Sequence, residues 1–154
     1  MKISELLDDS LIIDELEGVT KSEVLQEFSK LLYDKNVVND KDALARILFA
    51  RESLGSTGIG DGVAIPHGKL KGLAGLVLAF GRSRKGVEFD SLDGGKAHLF
   101  FLLIASEDAP GEHLKALARI SRMLKNSEVR DSLLKATDKK EIRTIIAKRE
   151  EDGR

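Results

Sequence analysis

Arg51-Glu52-Ser53-Leu54-Gly55-Ser56-Thr57-Gly58-Ile59-Gly60-Asp61-Gly62-Val63-Ala64-Ile65-Pro66-His67-Gly68 is the most informative run of this 154-residue chain. Four of the chain's 14 glycines, Gly55, Gly58, Gly60 and Gly62, fall within an eight-residue stretch of it. Glycine at this density signals unusual backbone angles or a close approach of the backbone to a ligand. Freed N–H groups in such a loop make a cradle for an anion. The run ends on an apolar triplet and a histidine held between Pro66 and Gly68. An imidazole beside an anion cradle suggests phosphoryl chemistry, because the ring is both nucleophile and proton carrier near neutral pH.

Upstream of this run, the sequence predicts two helices. Thr20-Lys21-Ser22-Glu23 fits a capping box, and Val24, Leu25, Phe28, Leu31 and Leu32 recur at helical spacing. Asp40 caps a second helix carrying Ala43, Leu44, Ile47, Leu48 and Ala50, with Arg51 at its end. Within the run, Val63-Ala64-Ile65 reads as a short buried strand ending at Pro66-His67. Downstream, Gly75 to Phe80 reads as a strand. A hairpin-like region follows, with Val87, Phe89 and the turn signal Asp93-Gly94-Gly95. Ala97 to Ala105 reads as a central strand covered on both faces. Pro110 suits the first turn of a third helix, where its missing N–H costs nothing; His113, Leu117, Ile120 and Leu124 share one face of it. Two more helices are expected, one after Ser127 and one after Asp138, which forms a cap signature with Glu141. Interleaved helices and strands predict an α/β layered domain. The whole chain, 1–154, is expected to be a single domain with a core over about 4–147 and a charged tail, 148–154, that frays.

Composition narrows the function classes. The net charge is −1, without the basic stripe that nucleic-acid binding needs. The chain has no cysteine, which excludes disulfides, thiolate metal sites and a cysteine nucleophile. The longest apolar run, Leu99 to Ala105, is too short to span a bilayer. The N-terminus lacks the basic start and apolar core of a secretory signal. A cytoplasmic protein is expected, with neither nucleic acid nor membrane insertion.

Familiar motif readings of the run fail. A P-loop requires Gly-Lys-Ser/Thr, and Gly68-Lys69 is followed by Leu70. A dinucleotide fingerprint requires G-x-G-x-x-G between strand and helix, whereas Gly58, Gly60 and Gly62 are spaced G-x-G-x-G and follow a helix. The histidines at 67, 98 and 113 have no paired metal-ligand spacing, so no metal and no cofactor is expected. There is no serine-hydrolase elbow. The remaining reading is a histidine acting as a covalent carrier. Phosphoryl transfer spreads charge over three oxygens and needs an in-line nucleophile with donors aimed at those oxygens. His67 is then the nucleophile, with Pro66 limiting its backbone. Arg51 offers a permanently charged fork. Gly55, Ser56, Thr57, Gly58, Gly60 and Gly62 are the phosphate-binding candidates. His113 can donate where a helix start favours anions.

At these residues the chain resembles the type-2 enzyme IIA domain of the bacterial phosphoenolpyruvate-dependent phosphotransferase system. This is the family of fructose, mannitol and nitrogen-regulatory IIA proteins. The matching core is Arg51-Glu52, Gly55 to Gly60 and Gly62 to Gly68. Val87 to Gly94 and His113 to Leu117 also resemble the family, in the expected order. The resemblance implies a mixed central sheet flanked by helices. It implies that His67 takes a phosphoryl group, through Nε2, from the carrier HPr or a paralogue, with Arg51 and His113 in support. The group then passes to a IIB protein or serves as a regulatory signal, in sugar transport or nitrogen regulation. Two features depart from the family: Ala105-Ser106 stands where a proline often follows the apolar strand, and the family needs no histidine at His98.

Each residue also has a plain structural reading. His67 can close a turn. Arg51 can cap a helix C-terminus. His113 can be a core or capping histidine. Ser56 and Thr57 can satisfy the loop's own backbone. The rival function is an interaction module that binds protein partners through the same fold without accepting phosphate.

Overall fold

The computed structural model describes residues 2–73 and 75–152, and for residues 110, 151 and 152 the backbone only. The chain runs α1 (Ile3–Leu6), β1 (Leu7–Ile13), α2 (Lys21–Asp34), α3 (Lys41–Ser53), β2 (Gly58–Gly60), β3 (Val63–Ala64), β4 (His67–Leu70), β5 (Val77–Val87), β6 (Ala97–Ser106), α4 (Pro110–Leu124), α5 (Ser127–Lys135) and α6 (Lys139–Asp152). The expected caps are present. Thr20 accepts from the Glu23 N–H, while the Glu23 carboxylate takes the Thr20 N–H. Asp40 accepts from the N–H groups of Asp42 and Ala43, and Asn126 caps α5.

One mixed six-stranded sheet forms the middle layer, in the order β1-β5-β6-β3-β2, with β4 also pairing β6. β5 and β6 are antiparallel, while β3 and β4 both run parallel to β6. The alternation in β6 explains the layering, since successive side chains point to opposite faces. Leu99, Phe101 and Leu103 join Ile120, Leu124, Val129, Ile142 and Ile146 beneath α4, α5 and α6. Phe100, Leu102 and Ile104 join Phe28, Leu32, Leu44 and Leu48 beneath α2 and α3. The fold is therefore the expected α/β sandwich, with a core on each side of the sheet.

Several elements differ from the sequence reading. β1 and α1 were not anticipated: Asp8-Asp9-Ser10 interrupts the apolar pattern, and the strand slips register between Leu7 and Ile12. The strand expected to end at Pro66-His67 resumes at once as β4. The Leu103 N–H donates to the Pro66 carbonyl, so the ladder with β6 spans the proline. β5 reaches Val87, well beyond Phe80. Part of the glycine run is itself a strand, β2, paired antiparallel with β3. The two-residue turn between them is Asp61-Gly62, with φ of 56° and 77°. Positive φ at both positions is what a type I′ hairpin turn requires. Within the charged tail, α6 continues to Asp152, and Glu150 accepts the N–H groups of Ile3 and Ser4. Residues 153 and 154 lie outside the described residues.

Candidate functional site

Three elements bring His67, Arg51 and His113 together. His67 is the first residue of β4 and lies opposite Leu103 of central β6, so its backbone is held by the sheet. Arg51 comes from the last turns of α3, and His113 from the first turn of α4. The rings of His67 and His113 lie 5.3 Å apart, tilted by 52°.

Two hydrogen bonds fix the state of the His67 ring. Nδ1 lies 2.8 Å from the Ile65 carbonyl. A carbonyl only accepts, so Nδ1 carries the proton. Arg51 Nε approaches His67 Nε2 at 3.3 Å. A guanidinium only donates, so Nε2 presents its lone pair. Burial lowers the ring's proton affinity from the ordinary 6.5; the Ile65 bond opposes this, Arg51 reinforces it, and Glu52 opposes it. The product is a neutral imidazole with Nε2 unprotonated at neutral pH. Arg51 is steadied by a 2.9 Å bond from Nη1 to the Gly55 carbonyl.

His113 is 6% exposed, and its Nε2 is buried with no hydrogen-bond partner among the described residues. Burial, with smaller contributions from His67 and Lys69, holds this ring down at about 4. A buried polar atom with no partner calls for an explanation. Here it is a neutral ring beside His67, with one nitrogen still open.

The glycine run is less open than its composition suggests. The Gly55 N–H donates to the Glu52 carbonyl, and the Thr57 N–H to the Glu52 carboxylate. The Gly58 N–H donates to Ser56 Oγ, and the Asp61 N–H to Asp93. The hydroxyls are engaged too: Ser56 donates to the Phe89 carbonyl at 2.7 Å, and Thr57 donates to Glu52. Gly60 lies in the β2–β3 pair and Gly62 in its turn. Gly58 is required by close approach: a Cβ there would lie 2.5 Å from Ser91 Oγ and 3.0 Å from Ser91 Cα. The run is thus a scaffold between α3 and the histidine strand, clamped from outside by residues 88–93.

Sequence reasoning passed over Glu52 and Lys21. Glu52 is close enough to His67 to act on its charge, and the Lys21–Glu52 ion pair spans 3.1 Å. The available signal was the adjacency of Glu52 to Arg51. His98, at a position where the family needs no histidine, bonds through Nδ1 to the Ser83 carbonyl at 2.8 Å. No helix among the described residues is long and apolar enough to cross a membrane.

Comparison with known proteins matches the chain to one family. Residues 5–149 fit the family model described as the phosphoenolpyruvate-dependent sugar phosphotransferase system, EIIA 2. A fructose-specific EIIABC component from Bacillus subtilis is 42% identical over 95% of the chain, which spans only 23% of that longer protein. A nitrogen regulatory protein from Bradyrhizobium diazoefficiens is 37% identical, covering 96% of this chain and 95% of that one. The crystal structure of nitrogen regulatory protein IIA-Ntr from Neisseria meningitidis superposes with a TM-score of 0.88 at 38% identity, covering 94% of this chain and 98% of that one. The chain belongs to the type-2 EIIA family of the phosphotransferase system.

Proposed function

We propose that the protein is a phosphoryl relay in which His67 Nε2 takes a phosphoryl group from the phosphohistidine of HPr or a paralogue. It passes the group to a IIB protein or holds it as a signal to a regulated protein. The observation that carries this reading is the protonation pattern of His67, with Nδ1–H on Ile65 and the Nε2 lone pair facing Arg51. The lone pair forms the new N–P bond while the donor's N–P bond breaks, and the electron pair of that bond returns to the donor imidazole. Nδ1 keeps its proton throughout, so no separate base is needed. Arg51 turns its fork from Nε2 to the phosphoryl oxygens, where charge develops. The open Nε2 of His113 is the second group available to them. Phosphate contact through Gly55, Ser56, Thr57, Gly58, Gly60 and Gly62 is a smaller part of the proposal. For Ser56, Thr57 and Gly58 it requires existing bonds within the chain to open.

A protein donor fits the surroundings better than a small molecule. Leu54 is 84% exposed just beyond Arg51, and Leu114 is 67% exposed just after His113. Exposed apolar residues near reactive groups suit a docking protein. Both the fructose-specific and the nitrogen-regulatory relatives are consistent with a relay, so the output is the part left to the acceptor.

The test is mass spectrometry after incubation with phosphoenolpyruvate, enzyme I and HPr or its nitrogen-branch paralogue, beside a His67→Ala variant. One acid-labile phosphoryl group on the wild type and none on the variant is the expected result. No phosphorylation by either donor sinks the relay and favours the interaction module.

A further inference from the structure

Glu52 stands next to Arg51 at the end of α3, and the relay chemistry gives it no part. Its side chain is only 4% exposed. One carboxylate oxygen accepts the Thr57 N–H at 3.0 Å and lies 3.1 Å from Lys21 Nζ. The other accepts the Thr57 hydroxyl. Lys21 is held in turn: it reaches Asp90 at 3.4 Å and lies over the Phe89 ring. A buried ion pair is weak evidence for stability, since well-packed apolar residues often serve as well.

The hydrogen bonds lead from Glu52 to the nucleophile. The carbonyl of Thr57 accepts the Ile65 N–H at 3.0 Å. The carbonyl of Ile65 accepts His67 Nδ1–H at 2.8 Å. The same turn presents the Gly55 carbonyl to Arg51 Nη1. One carboxylate thereby sets both the residue that orients the imidazole and the loop that orients the guanidinium.

We propose that Glu52 is a positioning residue for phosphoryl transfer, acting through Thr57 and Ile65 to hold His67 in the Nδ1–H tautomer with Nε2 facing the incoming group. Lys21 balances its charge. The proposal rests on the relay reading. Misplacing a nucleophile by about 1 Å can cost about a hundredfold in rate, so loss of this brace is a kinetic event before it is a structural one.

The experiment compares the wild type with Glu52→Gln, Thr57→Val and Thr57→Ser, using two readouts. One is the rate of phosphohistidine formation from phosphorylated HPr. The other is the pair of His67 ring-nitrogen shifts in the unphosphorylated protein, which report the tautomer directly. Glu52→Gln and Thr57→Val are expected to slow transfer about tenfold or more and to move the nitrogen shifts toward a tautomer mixture. Thr57→Ser, which keeps the hydroxyl, should restore both. Wild-type rates and wild-type shifts in Glu52→Gln and Thr57→Val overturn the proposal. If Glu52→Gln does not fold, the Thr57→Val and Thr57→Ser pair decides alone. If the wild type accepts no phosphoryl group, the relay reading has failed instead, and unchanged ring shifts in the variants would then separately remove the positioning role.

Discussion

The two histidines of the site share a state for different reasons. His67 is kept neutral chiefly by burial and has both nitrogens engaged. His113 is buried deeper, held at about 4, with Nε2 open. Both shifts are downward, and this fixes a sign. Between an unfolded-state value near 6.5 and the folded value of about 4, an unfolded His113 binds a proton that the folded ring does not. Stability therefore rises with pH across that window and is lost as pH falls through it; His67 adds in the same direction. The thermal midpoint should drop between about pH 6.5 and 5, above the range where carboxylates titrate, and His113→Gln should flatten that slope. Equal slopes in the two proteins would count against this account. At this scale the sequence was most legible: Arg51, His67 and His113, singled out from their motifs and from a helix start, are brought side by side by the fold. The part of Glu52 was hidden because its partners, Lys21 of α2 and Thr57 of the glycine run, are brought to it only by the fold.

Among the elements, legibility depended on local signals. Helices announced by caps and 3.6-residue spacing begin where expected, because Thr20, Asp40 and Asp138 accept from their own first turns. β1 escaped because an edge strand carrying Asp8-Asp9-Ser10 lacks alternation. β2 escaped because glycine density reads as loop, although Asp61-Gly62 is a strong hairpin dipeptide. The β2 strand also carries the sharpest packing test. Gly58→Ala would set a Cβ against Ser91 Oγ and Cα at 2.5 and 3.0 Å. The expected loss, read from urea unfolding, is about 1–3 kcal/mol. Adding Ser91→Ala should recover only part of it, since the approach to Cα remains. Wild-type stability in the single variant would show that residues 88–93 yield easily and do not clamp the loop.

Across the molecule, Arg82 ties layers together. It is 1% exposed, yet its guanidinium donates to the carbonyls of Asp14, Leu133 and Ala136. It thus joins β5 to the segment after β1 and to the end of α5. Arg82→Met keeps the apolar stem but leaves these carbonyls without that donor. Buried groups left unsatisfied cost about 1–3 kcal/mol each, so a loss of about 3 kcal/mol or more is expected in urea unfolding, with phosphoryl acceptance intact. A loss below about 1 kcal/mol would mean that water replaces the guanidinium without penalty. No sequence signal distinguishes this arginine from the solvated ones, because its partners are backbone carbonyls remote in sequence.

The sheet order also sets a timetable. β3 and β4 hold their places by pairing with β6, which begins some thirty residues later in the chain. A ribosome adding about 5–20 residues per second therefore releases His67 seconds before the strand that seats it, and His113 later still. His67 is synthesised before its surroundings exist, so a nascent chain carries the residues of the site without the site, and the grouping of His67, Arg51 and His113 arrives only when the last layer of helices closes over β6.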